Sequence, residues 1–240
     1  SIKRSRLQEI PQGQRFPLIT TPDGDTLPAQ LDDLDGDSAW DEVFFVADLP
    51  AGGSGMYSLE WINQVQKFPA RTSVRFGKRL SADIPVAPAD QEVLTARQIP
   101  WTLGFQRYQT DGPTWENDKV GFRHCLDGRN AKDLFGKISP AISPEDVGLD
   151  ERGETVDNYH VMEDWGRDIL SVGNSVGLGG YALGVGDELM RLGIIAGDTV
   201  NNVEKTTFHI VTEGPVRSVL NYQYSNWRPG NRSYAVEENT

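Results

Sequence analysis

The chain has 240 residues, and 23 Lys and Arg against 35 Asp and Glu give it a formal net charge of −12. That acidity argues against nucleic acid as a partner, because such binding rests on neutralising phosphates with basic side chains, and no apolar run reaches the roughly 20 residues of a membrane helix. The 25 Gly and 14 Pro favour turns and short strands over a helical bundle, while six Trp, seven Tyr and nine Phe exclude a disordered chain.

Strand signals dominate in chain order. Glu42 to Leu49 is aromatic and β-branched, and the glycine-rich turn Gly52-Gly53-Ser54-Gly55 follows it. Ser58 to Ile62 and Thr72 to Phe76 read as strands, and the proline-rich Asp83 to Pro88 as a connector or edge. Asp90 predicts a capped two-turn helix from Gln91 to Gln98, stopped by Pro100. Val120 to His124 is a further strand, and Asp187 to Leu192 reads as a second short helix closed by Gly193. Thr206 to Thr212, the turn Glu213-Gly214-Pro215 and Val216 to Tyr224 form a hairpin, after which no closing element shows. The expectation is a mainly β protein, an antiparallel β-sandwich in a single domain over residues 1–240, reading as a fragment of a longer domain. Cys125 is alone, so neither a disulfide nor a CxxC metal site exists within the chain, and its compartment is open between cytosol and periplasm.

Three constellations carry chemistry. The run Asp33, Asp35, Gly36, Asp37 and Asp41 sets alternate carboxylates about a glycine turn, the oxygen-rich pattern that wraps calcium; its plain alternative is an Asx-rich turn feeding a strand. The second is Trp115-Glu116-Asn117-Asp118 followed by Arg123, His124, Asp127, Arg129 and Asn130. On a strand, Phe122 and His124 share one face and Arg123 the other. An Arg beside a His suits proton abstraction next to a carboxylate, the guanidinium neutralising the developing charge and the imidazole moving the proton; structural ion pairing of Arg123 is the alternative. The third, Tyr159 to Asp168, packs Tyr159, His160, Asp164 and Trp165 into one short stretch. There Trp165 is either a sugar platform or a core residue, and Asp164 or Asp168 either orients His160 or caps a turn. His209 reads as a sheet-face histidine. Gly177-Leu178-Gly179-Gly180 lacks the Lys-Ser/Thr of a phosphate loop, and Ser54 has no evident triad partner. Lys119 to Lys137 holds a local +3 and Glu145 to Asp168 a local −7, so the basic island is either a receptor for an anionic ligand or a solvated strand edge.

Three blocks, residues 31–52, 115–137 and 159–183, together resemble a bacterial family long catalogued as a domain of unknown function, found in polysaccharide-utilisation loci. The resemblance spans nearly the whole chain. It implies a galactose-mutarotase-like supersandwich, here incomplete at the C-terminus, in a periplasmic or secreted protein whose leader has been removed. One branch is associated with dehydration of the non-reducing-end uronate of ulvan oligosaccharides, so the resemblance implies a carbon-oxygen lyase acting on an anionic oligosaccharide to leave a 4,5-unsaturated uronate. No organic cofactor is expected. Such chemistry needs a carboxylate clamp, for which Arg123 and Arg129 are candidates, a base, His160 or His124, and an acid, Tyr159 or the other His. Asn130, Trp115, Glu116, Trp165 and Asp164 are the candidate substrate contacts. A polysaccharide lyase, a carbohydrate-binding module stacking sugars on Trp115, Trp165 and Trp227, and a mutarotase-like epimerase are the competing readings.

Overall fold

The computed structural model describes residues 1–7, 13, 15–98, 105–127, 129–173, 175–193, 195–196 and 200–240. Strands dominate them, helix is confined to short 3-10 turns, and none of the described helices is long and apolar enough to cross a membrane. The chain packs as two compact units, residues 1–73 with 211–219 and residues 74–210 with 220–240.

The first unit contains β1 (Ile2–Lys3), β2 (Phe16–Thr20), β3 (Thr26–Leu27), β4 (Ala29–Asp32), β5 (Glu42–Phe45) and β6 (Ser58–Ile62). They form two small antiparallel sheets, β1-β5-β4 and β3-β2-β6. Asp32 and Glu42 face each other in register, and Arg217 bridges both carboxylates at 2.6 and 2.5 Å. Thr212 donates to Asp32 at 2.9 Å, and the Gln30 side-chain carbonyl accepts the N–H groups of Val216 and Arg217. Residues 211–219 thus belong to this unit because they complete its polar centre. A buried carboxylate pair persists only when its charge is met, and Arg217 meets it.

The second unit follows with β7 (Thr72–Arg75, which begins in the first), β8 (Gly77–Lys78), β9 (Ala87–Pro88), β10 (Gln91–Thr95), β11 (Thr114–Asn117), β12 (Val120–His124), β13 (Lys132–Lys137) and β14 (Gly166–Asp168). The rest are β15 (Ala182–Val185), β16 (Glu188–Arg191), β17 (Ile195–Ala196), β18 (Val200–Asn201), β19 (Lys205–Glu213), β20 (Ser218–Trp227) and β21 (Tyr234–Asn239). Its two main sheets run β14-β13-β12-β11-β7 and β10-β19-β20-β21. Between them lies one apolar core that includes Val74, Phe76, Tyr108, Phe208, Leu220 and Tyr222. This is the expected antiparallel sandwich, with alternate residues of each strand turned inward.

Two expected helices are strands. Residues 91–95 alternate exposed and buried and pair with β19, because Glu92 is buried and neutralised by Arg107 and Lys78 while the Tyr108 hydroxyl donates to it. Pro100, the expected stop, lies outside the described residues. Residues 187–192 form half of a hairpin: Val185 faces Glu188, leaving Gly186-Asp187 as a two-residue turn whose glycine has φ +62°. The segment after Tyr224, read as lacking a closing element, carries β20 on to Trp227 and then returns as β21 along its edge.

Candidate active site

The pleat of β12 decides the geography. His124 stacks on Tyr222 of the opposite sheet, ring centroids 4.4 Å apart, and so faces the sandwich interior. Arg123, one residue earlier, projects from the other face. There it stands in register between Thr114 of β11 and Asp133 of β13.

Arg123 is buried, and its Nη2 donates to Asp133 and, at 3.0 Å, to Asp168. Its guanidinium lies 5.0 Å from the Tyr159 ring and 5.4 Å from that of Phe135, and 3.9 Å from Asp111. Burial works against its charge, but its neighbours Cys125, Tyr159 and Asp133 outweigh burial and hold its pKa above the ordinary arginine value. A guanidinium so engaged is no free clamp for a substrate carboxylate. It is a positioning group, and what it positions is Asp168.

Asp168 links the interior to solvent. Its Oδ2 takes the bond from Arg123 and lies 3.4 Å from His160 Nδ1, while its Oδ1 accepts the Leu170 N–H. The His160 side chain is 52% exposed, and its Nε2 lies 2.9 Å from Asp157. The Tyr159 ring, 4.9 Å from that of His160, is buried, and its hydroxyl points at Asp111 at 3.4 Å. Burial raises the pKa of Asp168, of Asp111 and of Tyr159, the nearby Arg123 opposing in each case.

Asp111 sits in a turn that pattern reading passed over. Thr110 and Asp111 both have positive φ, 50° and 64°, a conformation that costs a β-branched residue of order 1–3 kcal/mol and that clusters at functional sites. Gly112 follows because a Cβ there would collide with the His124 carbonyl. The turn is held from behind by Gln109, which donates to the carbonyls of Glu145 and Val147, both at 2.8 Å.

The other expected residues divide. Arg129 lies half-buried at the rim, forked onto Asp127 through Nε at 2.8 Å and Nη2 at 2.5 Å, with Nη1 on the Gly173 carbonyl at 3.1 Å. Asn130 belongs to the inner face, where its Oδ1 meets His124 Nε2 at 2.5 Å. Burial and then Lys132 push the His124 pKa down to about 3, so it is a neutral interior ring, out of reach of the outer face. Trp115 is half-buried and stacked on Phe122. Glu116 pairs with Lys137 and accepts two bonds from Ser143, which makes it the anchor of a loop. Trp165 is a core residue packed on Phe135, and Trp227 is buried, so neither offers a ring to a sugar. Asp164 lies exposed in the turn before β14, and its neighbour Asp168, not Asp164, reaches His160.

The basic island dissolves on folding. Lys119 meets Asp118, Arg129 meets Asp127, Lys132 meets Glu238, Lys137 meets Glu116, and Arg123 meets Asp133 and Asp168. In the first unit, Asp33, Asp35 and Asp37 do come together, with one carboxylate oxygen of each within 4.8 Å of the others. All three also accept backbone N–H groups of the loop, while Asp41, outside that trio, accepts that of Leu34 at 2.6 Å.

Fold and site together define an all-β sandwich protein whose sheet carries a His-Asp-Arg chain on its outer face. The chain belongs to the family described as Domain of unknown function (DUF4861), whose model matches residues 1–240. Membership of a domain-of-unknown-function family, expected from the three sequence blocks, is thereby borne out. No curated protein and no solved structure matches the chain.

Proposed function

We propose that the chain belongs to a carbohydrate-active dehydratase that removes water from the non-reducing-end uronate of an anionic oligosaccharide. The observation that supports this most is the His160–Asp168–Arg123 chain: a solvent-facing imidazole held through Nδ1 by a buried carboxylate that an arginine fixes. That arrangement orients a base without exposing the group that orients it. His160 Nε2, with Asp157 displaced, takes the proton from C5 of the uronate. The C–H electron pair becomes the C4=C5 double bond, and the 4-hydroxyl leaves with a proton. Asp111, whose pKa is raised by burial and which accepts from the Tyr159 hydroxyl, is the acid proposed for that oxygen. Arg129 is the clamp, a substrate carboxylate taking the place of the Gly173 carbonyl on Nη1.

A His160→Ala variant is expected to lose turnover by at least the 10²-fold typical of an acid–base group, with its melting temperature nearly unchanged because the ring is half exposed. Ultraviolet absorbance for a new conjugated alkene measures the first and thermal unfolding the second. Near-wild-type rates would remove His160 from the mechanism. A lyase reading survives only if products shorten, and a pure sugar-binding reading is weakened by the burial of Trp165 and Trp227. We propose calcium at Asp33, Asp35 and Asp37, donors of the type that hard cation prefers. Added calcium should raise the melting temperature of the wild type and leave that of Asp35→Asn unmoved; identical melting in calcium and in chelator would remove the site.

A further inference from the structure

Strand β10 is the terminal strand of its sheet, paired with β19 on one side and, among the described residues, with no strand on the other. The hydrogen bonds at its two ends fix which backbone groups face outward. Ile210 N–H donates to the Asp90 carbonyl, and Ala96 N–H to that of Glu204. In an antiparallel ladder such bonded pairs fall at every second residue, so Asp90, Glu92, Leu94 and Ala96 direct their N–H and C=O groups toward β19. Gln91, Val93 and Thr95 direct theirs away from the sheet. A row of that kind is a template for another strand. The side chains of the same three residues are exposed and uncharged, so no like-charge repulsion stops a second copy from laying the same strand alongside.

The chain occupies that row itself. Val93 N–H donates to Glu92 Oε1 and Thr95 N–H to Gln98 Oε1, both at 3.0 Å. The Thr95 carbonyl accepts the Gln98 N–H at 2.9 Å, and the Gln91 carbonyl accepts from Lys78 Nζ at 2.9 Å. Of the outward N–H and C=O groups of Gln91, Val93 and Thr95, only the Gln91 N–H and the Val93 carbonyl are left outside these bonds. Glu92 can serve the edge because its other oxygen is fixed: Oε2 lies 3.2 Å from Arg107 and 3.5 Å from Lys78, and accepts from the Tyr108 hydroxyl at 3.1 Å. Gln98 stands exposed just past the turn that ends β10. A strand that bonded to this edge would have to displace all of these contacts.

We infer that Glu92, Gln98 and Lys78 guard the edge of β10, and that the partner they exclude is a second copy of this chain, paired antiparallel about Val93. The guard does not depend on His160 or on the outer-face chemistry. The test compares wild type with the double variant Lys78→Ala, Gln98→Ala by sedimentation velocity over a series of protein concentrations. Glu92 keeps Arg107 and Tyr108 in that variant, so its buried charge stays met. Expected is self-association to a dimer about tenfold tighter than any shown by wild type, the factor for two net hydrogen bonds per edge freed for pairing. Adding Val93→Pro removes an outward N–H that β19 does not use, and should return the double variant to wild-type behaviour. Hydrogen exchange gives a second reading: in Gln98→Ala the Thr95 amide should exchange about fivefold faster, the factor for one net hydrogen bond, with the melting temperature unmoved because Gln98 is exposed. Equal self-association of wild type and the double variant, association that survives Val93→Pro, or an unchanged exchange rate at Thr95 would each overturn the guard.

Discussion

Arg123 and His124 are neighbours in the chain and opposites in environment. On the outer face a permanent charge is buried and satisfied by carboxylates from two other strands, Asp133 and Asp168. On the inner face a titratable ring is buried, kept neutral, and left with one nitrogen unpaired. The difference teaches how one strand separates two tasks. A charge taken out of water must be met within the protein, so Arg123 fixes its neighbours. A neutral ring demands less, and the unpaired Nδ1 of His124 costs only the desolvation of one acceptor, about 1–3 kcal/mol.

The contrast breaks first at the guanidinium. Arg123→Met leaves two buried carboxylates uncompensated and should lower stability by about 3–5 kcal/mol, read from the denaturant midpoint; a loss under about 1 kcal/mol would show the pairs to be decorative. Acid breaks the inner face next. The folded pKa of His124, about 3, lies below its unfolded value near 6.5. The unfolded chain therefore binds the extra proton, and the stability contribution is complete above pH 6.5 and lost as pH falls toward 3. Urea unfolding between pH 6.5 and 5 should show stability falling by up to about 1.4 kcal/mol per pH unit, and His124→Gln should flatten that slope; an unchanged slope would mean the ring is charged when folded. The smallest expected effect is at Asp164, for which Asp164→Ala should move stability by less than about 0.5 kcal/mol and leave turnover intact, whereas Asp168→Asn should impair turnover. Equal loss in both would dissolve the distinction between the turn and the orienting carboxylate.

The strands Ser58–Ile62 and Val120–His124 were legible to the residue because their own alternation defines them. Residues 91–95 were not, since burying Glu92 hides the strand period behind an acid whose partners lie elsewhere in the chain. The same limit governs the site. His160, Tyr159 and Arg123 could be singled out by residue type, but the acids that set their roles could not be paired with them. Lys132 finds Glu238 across 106 positions, an apparent basic island becomes a set of closed pairs, and only the fold brings such partners together. Asp111 carried no pattern at all, because its placement depends on a strained turn rather than on spacing.

The most direct test of the outer-face chemistry is mass spectrometry of an oligosaccharide ending in a saturated glucuronate after incubation with the protein. A product lighter by one water and of unchanged chain length is expected from the wild type and not from His160→Ala. Shortened chains, or the same product from His160→Ala, would contradict that chemistry.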